Sequence, residues 1–165
     1  MILVKEVKDE DIVNYKYTSM FVAFPHCTFK CDRESGVRCC QNSALALQNS
    51  IAISEKTLAE RYMSNSLTKA LVIGGLEPFD DIDNLIKLVS EFRKYTNDEI
   101  VIYTGYNECE IVEDVLSVFE ACNKTGLIVK FGRFVPNSAK RFDGVLGVVL
   151  ASENQYAKRI EDNGE

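Results

Sequence analysis

The sequence predicts an α/β fold in which a mainly parallel sheet is flanked by helices. Short apolar runs rich in β-branched residues alternate with segments whose apolar residues recur at three- and four-residue steps. The runs are continuous rather than strictly alternating, which predicts strands that are covered on both faces. Strand and helix in alternation predict right-handed β-α-β units, with ligand-binding loops at the C-terminal ends of the strands.

Five apolar runs are predicted to be strands, and the first three end in residues that favour loops. The first run stops at Pro25, the second at Gly74-Gly75 and the third at Thr104-Gly105. Parallel topology would bring these three ends to one edge of the sheet. The predicted strands span residues 20–24, 70–73, 99–103, 127–131 and 144–150.

Three segments between the strands have the periodicity of amphipathic helices. The clearest one starts at Asp81, and either Asp80 or Asp81 is placed to cap it. A shorter one follows Ser54. The apolar stripes consist of Leu58, Ala59, Tyr62 and Met63; of Ile82, Leu85, Ile86, Val89 and Phe92; and of Ile111, Val112, Val115, Leu116, Phe119 and Cys122.

Size and charge narrow the class of protein. With 165 residues and 46% hydrophobic content, the chain is expected to form a single domain over residues 1–165. The net charge of -6 argues against general nucleic-acid binding, because such binding depends on lysine and arginine neutralising phosphates. No stretch resembles a signal peptide or a membrane span, so we expect a cytoplasmic protein that binds no membrane.

The segment from Lys124 to Arg159 is basic, with seven lysines and arginines against two acidic residues. Two interpretations are open. These side chains are either solvated strand edges and helix ends, or part of a docking face for an acidic partner.

Soft metal ligands are concentrated directly after the first predicted strand. Four of the six cysteines, Cys27, Cys31, Cys39 and Cys40, lie within 14 positions. In a reducing compartment, clustered cysteines are more often metal-binding or catalytic than disulfide-bonded. The cluster therefore predicts a thiolate-bound metal centre at a strand end.

A second group of residues follows the next strand. The Gly74-Gly75 pair allows close approach of the backbone to a ligand, and Glu77 would place a carboxylate beside it, suited to receive an ammonium group. Taken alone, each of these features is common in turns and at helix starts.

Taken together, the motifs resemble a known family. They are Cys27-x3-Cys31, a third cysteine followed by Gln41-Asn42, Gly74-Gly75-Leu76-Glu77-Pro78, Tyr103-Thr104-Gly105-Tyr106 and Ser152-Glu153-Asn154-Gln155. In order and spacing they are similar to small radical S-adenosylmethionine proteins of the glycyl-radical-activating type, and in particular to the activating proteins of anaerobic ribonucleotide reductases. The resemblance runs from about Met20 to Arg159. It implies a truncated, partial radical-SAM β/α barrel.

The resemblance also implies a set of site residues. Three cysteines would hold a 4Fe-4S cluster whose fourth iron stays open for S-adenosylmethionine: Cys27, Cys31 and Cys40. Cys40 is preferred to Cys39 because the family has an asparagine two residues after its third cysteine, as Asn42 is here. The residues matched to S-adenosylmethionine binding are Gly74, Gly75, Glu77, Pro78, Tyr103, Thr104 and Gly105.

By the same resemblance, the protein would cleave S-adenosylmethionine reductively and generate a glycyl radical on a large partner subunit, an anaerobic ribonucleotide reductase. A reductant such as flavodoxin would supply the electron. No catalytic side chain is singled out, because the cofactor supplies the difficult chemistry.

One departure from the family pattern leaves alternatives open. The family usually has two residues between its second and third cysteines, whereas eight separate Cys31 from Cys40. This polar insertion is interpreted as a solvent loop. The alternatives are a radical enzyme acting on a small molecule or peptide, and a non-enzymatic electron-transfer or zinc-binding module that uses all four clustered cysteines.

The remaining cysteines and the one histidine have simpler interpretations. Cys122 lies on an apolar stripe and is expected to be a buried small hydrophobe. Cys109 lies near a helix start without a catalytic partner in the sequence, and His26 is expected to fill a hydrogen-bonding role in its loop.

Overall fold

The structure is a computed structural model that describes residues 1–162. This part of the chain contains ten strands and five α-helices. They are β1 (Ile2–Val4), β2 (Glu6–Asp11), β3 (Ser19–Phe24), α1 (Lys30–Ser35), α2 (Ser43–Ala46), β4 (Ile51–Ile53), α3 (Glu55–Ser64), β5 (Ala70–Gly75), α4 (Ile82–Phe92), β6 (Glu99–Tyr103), α5 (Val112–Ala121), β7 (Leu127–Phe131), β8 (Arg141–Asp143), β9 (Val148–Leu150) and β10 (Tyr156–Arg159).

A six-stranded sheet organises the fold, in the order β10-β7-β6-β5-β3-β2. The three inner pairings, β3 with β5, β5 with β6 and β6 with β7, are parallel. The two edge strands, β2 and β10, pair antiparallel. The mainly parallel α/β prediction is therefore confirmed. Within residues 1–162 the sheet does not close into a barrel.

The two faces of this sheet are covered in different ways. Helices α3, α4 and α5 pack on one face, where Phe92 and Phe119 join alternate strand residues such as Ile73 in the main core. On the other face, Tyr15 and Leu146 cover a smaller apolar cluster that includes Val72, Val101 and Ile128. Burial on both faces explains why the strand sequences are continuously apolar.

The prediction of a strand over residues 144–150 is wrong in its first half. Only Val148–Leu150 is extended, and it pairs with β8 in a separate two-stranded sheet rather than with the central one. The Asp143 carboxylate accepts the backbone N–H groups of Val145 and Leu146, and Gly147 adopts a φ of +71°. These bonds hold the segment in a turn, so its apolar Leu146 covers the sheet from outside.

The predicted helices are present, but one predicted cap is wrong. Helix α3 begins after Ser54, whose hydroxyl accepts the N–H of Thr57 at 3.0 Å. Helix α4 begins after Asp81, yet this carboxylate caps no backbone N–H and binds the side chain of Asn84 instead. Asp80 accepts the hydroxyl of Tyr106, because a 3₁₀ turn over Pro78–Asp81 redirects both aspartates.

The insertion after Cys31 is ordered rather than a plain solvent loop. Residues Lys30–Ser35 form helix α1, and Gly36 closes it with a φ of +72° and an N–H bond to the Asp32 carbonyl. Across residues 1–162, every helix falls short of the length and apolar character that a membrane crossing requires.

Candidate metal and cofactor site

A cavity of about 300 Å³ lies at the C-terminal ends of β3, β5 and β6. Parallel strands place the loops that follow them at one edge of the sheet, which is where ligands bind in open α/β folds. The cysteine loop after β3, the glycine turn after β5 and the Thr104-Gly105 turn after β6 all contribute to its wall.

The three predicted ligand cysteines, Cys27, Cys31 and Cys40, all line this cavity. Within residues 1–162 every cysteine is a free thiol. Cys27 accepts the N–H of Phe29, whose left-handed backbone with a φ of 53° turns the chain into α1 and so places Cys31 on the first turn of that helix. The cysteine loop thus turns two thiols towards one space.

Burial raises the pKa of each of these thiols. The pKa of Cys27 is raised to about 11, chiefly because burial disfavours the charged thiolate, and the N–H of Phe29 offsets only part of this. Burial likewise raises the pKa of Cys31 and of Cys40. A bound cation would stabilise the thiolate form of these side chains, as metal coordination does for thiols in general.

Cys39 does not line the cavity. Its sulfur lies 3.2 Å from the Ser35 hydroxyl and 3.5 Å from the carbonyl oxygen of Cys31, on the insertion side of the loop. Adjacent residues in an irregular segment point their side chains in different directions, so only one of the pair, Cys40, reaches the cavity.

Among residues 1–162, no three histidine, cysteine, aspartate or glutamate side chains converge closely enough to hold a single metal ion. An iron–sulfur cluster makes a different demand, since each of its thiolate ligands binds a different iron atom. A cavity with three cysteines spread over its wall, and with no fourth cysteine from residues 1–162 lining it, fits a cluster that keeps one iron open.

Five of the seven residues predicted to bind the cofactor also line the cavity, and two do not. Those that do are Gly75, Glu77, Tyr103, Thr104 and Gly105. Gly74 lies inside β5, packed between the side chains of Phe21 and Tyr103, and Pro78 is buried at the start of the 3₁₀ turn. These two residues support the cavity wall without being part of it.

Glu77 is the best-anchored polar side chain of the site. It is only 5% exposed. One carboxylate oxygen accepts the Thr104 hydroxyl at 2.8 Å and the N–H of Phe79, while the other accepts the N–H of Gly105 at 2.8 Å. A carboxylate offers about four acceptor positions, so one is left for a ligand.

Burial raises the pKa of Glu77 to about 7, although its three hydrogen bonds act in the opposite direction. A carboxylate in this state gains from a cationic neighbour, because a nearby positive charge would favour its ionised form. The geometry and the charge are therefore compatible with an ammonium group as the ligand, which stays a prediction.

Gly75 is required by the packing of the sheet. Its φ is +93°, and a Cβ atom there would lie 2.7 Å from the Cα of Ala23 on the neighbouring strand β3. No side chain can occupy that position without displacing the strand. Gly105 is different, since a Cβ there would meet Glu77 and the Cys31 sulfur only at ordinary contact distances of 3.6 and 3.7 Å.

Sequence reasoning missed Lys130 as a site residue. Its side chain reaches the cavity wall from the end of β7, where the ammonium group donates to the carbonyl of Gly132 at 3.0 Å. Burial lowers its pKa to about 8, against the opposing influence of Glu77. The available signal was a lysine inside the otherwise apolar run Leu127-Ile128-Val129-Lys130-Phe131.

The late motif over residues 152–155 braces the loop that follows β7. Gln155 lines the cavity and donates to the carbonyl of Gly132, while Asn154 donates to the carbonyl of Arg133 at 2.9 Å. The motif thus supports the site mainly by hydrogen bonding to backbone carbonyls near Lys130.

The other sequence expectations have clear outcomes. Cys122 is fully buried, as predicted, and Cys109 is exposed on a short 3₁₀ turn. His26 is an exposed loop residue, and it is its backbone carbonyl that accepts the N–H of Glu77 at 2.8 Å.

Much of the positive charge of the basic segment is neutralised within the chain, which leaves less of it for a docking face, and the docking interpretation stays a prediction. Four of its seven basic side chains are in ion pairs with acidic residues: Lys124, Arg133, Lys158 and Arg159. Lys130 is buried in the site.

Comparison with family models matches residues 16–155 to the 4Fe-4S single cluster domain. The matched segment contains all three predicted ligand cysteines and every residue predicted to bind the cofactor. No curated protein and no solved structure gives a significant match to the chain.

Proposed function

This chain belongs to the 4Fe-4S single cluster domain family, and from that premise we propose that it is a radical S-adenosylmethionine enzyme that activates a glycyl-radical partner. The single observation that carries the proposal is the cavity in which Cys27, Cys31 and Cys40 face the glycine and carboxylate residues of two neighbouring strand ends. A closed electron-transfer site would need a fourth protein ligand, and Cys39 lies outside the cavity.

Cys27, Cys31 and Cys40 would hold the cluster, which when reduced would supply the electron for cleavage of S-adenosylmethionine to methionine and so for removal of a hydrogen atom from the substrate. The residues of this chain would bind and orient S-adenosylmethionine. Glu77 has a remaining acceptor position for the amino group, and the Gly75 turn brings the strand-end backbone up to the cavity. Thr104 and Gly105 hold the carboxylate in place.

The size of the cavity favours a protein as the substrate. Ligand pockets usually range from ~300 to 1,000 Å³, and this one lies at the small end with about 300 Å³. S-adenosylmethionine and a cluster would fill it, which leaves little room for a second small molecule. A backbone segment presented at the mouth by a partner, such as the glycine loop of an anaerobic ribonucleotide reductase, needs no such room.

The fold is compatible with this proposal. The parallel strands β3, β5, β6 and β7, with α3, α4 and α5 on one face, would be consecutive units of a truncated radical-SAM β/α barrel under this proposal. The antiparallel strands β2 and β10 would then end the sheet where a full barrel would continue.

The decisive experiment is reductive cleavage of S-adenosylmethionine by the reconstituted protein. Protein purified anaerobically and loaded with iron and sulfide should release methionine and 5′-deoxyadenosine when dithionite replaces a physiological reductant such as flavodoxin. The Cys40→Ala variant should release neither, and Cys39→Ala is the matched control that should behave as the wild type. A loaded, reduced protein that leaves S-adenosylmethionine intact would support the electron-transfer alternative instead.

A further inference from the structure

We propose that Asp32 is a positioning residue for the third cysteine ligand, Cys40. The insertion between Cys31 and Cys40 would then help to hold that ligand at the metal site. The inference deepens the proposed function and rests on it, because it concerns how one ligand of the cluster is held.

The argument begins with two hydrogen bonds. One oxygen of the Asp32 carboxylate accepts the backbone N–H of Cys39 and also that of Cys40, each at 2.8 Å. Asp32 directly follows Cys31 in the chain. A single side chain therefore ties the residue next to the second ligand to the backbone of the third, across the whole insertion.

The chain beyond Cys40 has its own anchor. The side chain of Asn42 donates to the carbonyl of Gly75 at 2.7 Å, at a strand end that also lines the cavity. Cys40 is thus held from both sides, by Asp32 before it and by Asn42 after it. Neither bond involves the sulfur, so both leave the thiol free to face the cavity.

The rest of the insertion supports the same geometry. Gly36 reverses the chain after α1 with a φ of +72°, in space where a Cβ would meet nothing within 4 Å. Glu34 lies 3.1 Å from the Nε atom of Arg133, which is an ion pair between α1 and the loop after β7. The insertion between Cys31 and Cys40 therefore turns back on itself, and the carboxylate of Asp32 connects its two ends.

Removing this carboxylate should release the third ligand. The backbone N–H groups of Cys39 and Cys40 would lose the Asp32 carboxylate as their acceptor, and the two ends of the insertion would no longer be joined by this side chain. A looser Cys40 samples positions outside the cavity. We therefore expect a cluster that is lost more readily, in a protein that keeps its sheet and helices.

The experiment compares Asp32→Ala, Asp32→Asn and the control Asp83→Ala, which removes an exposed carboxylate from α4. Each protein is loaded with iron and sulfide under anaerobic conditions, and release of iron to a chelator is timed. Asp32→Ala should lose iron about tenfold faster than the wild type, as expected for one to two backbone hydrogen bonds. Asp32→Asn retains an acceptor oxygen but loses the charge, so its rate should lie closer to the wild type than to Asp32→Ala. Asp83→Ala should match the wild type.

A second measurement uses the cluster-free protein. Amide hydrogen exchange at Cys39 and Cys40 should be slow in the wild type and in Asp32→Asn, and fast in Asp32→Ala, with unchanged exchange in β5 and β6. Equal iron release and equal exchange in Asp32→Ala and the wild type would overturn this inference alone. A wild-type protein that takes up no cluster would overturn the proposed function.

Discussion

Cys39 and Cys40 are neighbours in the chain but have different surroundings, and this difference predicts the ligand set. Replacement of Cys27, Cys31 or Cys40 by alanine should abolish cluster binding, because each removes a thiolate from the cavity wall. Cys39→Ala should retain it, because that sulfur contacts Ser35 and the carbonyl of Cys31 instead. Iron and acid-labile sulfide per chain are the measurement. Loss of iron in Cys39→Ala together with its retention in Cys40→Ala would reverse the assignment.

Glu77 provides a second prediction at the scale of a single side chain. Glu77→Gln should weaken binding of S-adenosylmethionine by at least about tenfold, since a charge-assisted hydrogen bond becomes a neutral one. Cluster assembly should change little, because Glu77 supplies no thiolate. Equilibrium binding of the cofactor and iron content are measured on the same preparation. Equal loss of both would mean that Glu77 acts only by holding the Thr104 turn.

The pair of Glu110 and Arg133 predicts a dependence of stability on pH. Both guanidinium nitrogens of Arg133 donate to the carboxylate at 2.7 Å, and these bonds lower the pKa of Glu110 from 4.5 to about 2. A carboxyl group whose pKa is lowered by folding stabilises the protein above its unfolded pKa and loses this effect as the pH falls through the folded value.

The free energy of unfolding of the wild type should therefore exceed that of Glu110→Gln by a constant amount above about pH 5, and the gap should close towards pH 2. Denaturant unfolding of both proteins at a series of pH values, in cluster-free form, measures this difference. A gap that does not change between pH 5 and pH 2 would show that the carboxylate gains nothing from Arg133.

At the scale of elements, the close contact between β3 and β5 predicts how much an added methyl group at position 75 would destabilise the protein. Gly75→Ala should lower the free energy of unfolding by about 3 kcal/mol, because it adds a left-handed backbone penalty to overpacking against Ala23. Gly36→Ala is the matched control, with a positive φ but open space around it, and should cost only about 1 kcal/mol. Urea unfolding measures both. Equal costs would mean that the strand contact is not tight.

The inner elements could be predicted from the sequence because burial and periodicity agree there. The runs at 99–103 and 127–131 became β6 and β7 with unchanged limits, since both faces of each are covered. The edge strand β10 was missed because its sequence, Tyr156-Ala157-Lys158-Arg159, is half polar. The apolar run at 144–150 was wrongly predicted to be a strand of the central sheet, because its apolar side chains cover that sheet instead of belonging to a strand within it.

The candidate site was only partly predictable for a related reason. Strand order places the cysteine loop, the Gly75 turn and the Thr104 turn together, and a sequence can predict that order. Lys130 was not predicted as a site residue because its role depends on the direction of a long side chain, which reaches the carbonyl of Gly132 just after β7. The anchoring by Asp32 escaped because it joins residues across an irregular insertion, where no periodicity exists to reveal a contact.

At the scale of the whole molecule, the mouth of the cavity has an apolar rim. Val13 and Val149 line the cavity and are themselves largely exposed, and Phe142 lies opposite Val149 in the β8–β9 pair, so these two side chains share a face. Phe142 is 65% exposed and Ile12, next to Val13, is 77% exposed. Large apolar side chains grouped around an opening are typical of protein contact surfaces.

If the substrate is a protein loop that docks at this opening, a charged residue introduced on the apolar rim should impair activation of the partner without impairing cleavage of S-adenosylmethionine. Ile12→Asp and Phe142→Asp should leave reductive cleavage of S-adenosylmethionine unchanged without a partner, because neither side chain lines the cavity. Both should reduce glycyl-radical formation on the partner by about tenfold, the effect of losing one well-buried apolar contact. Met63→Asp, an exposed residue on α3, is the control. Electron paramagnetic resonance of the partner measures the radical, and unchanged yields in both rim variants would place the docking surface elsewhere.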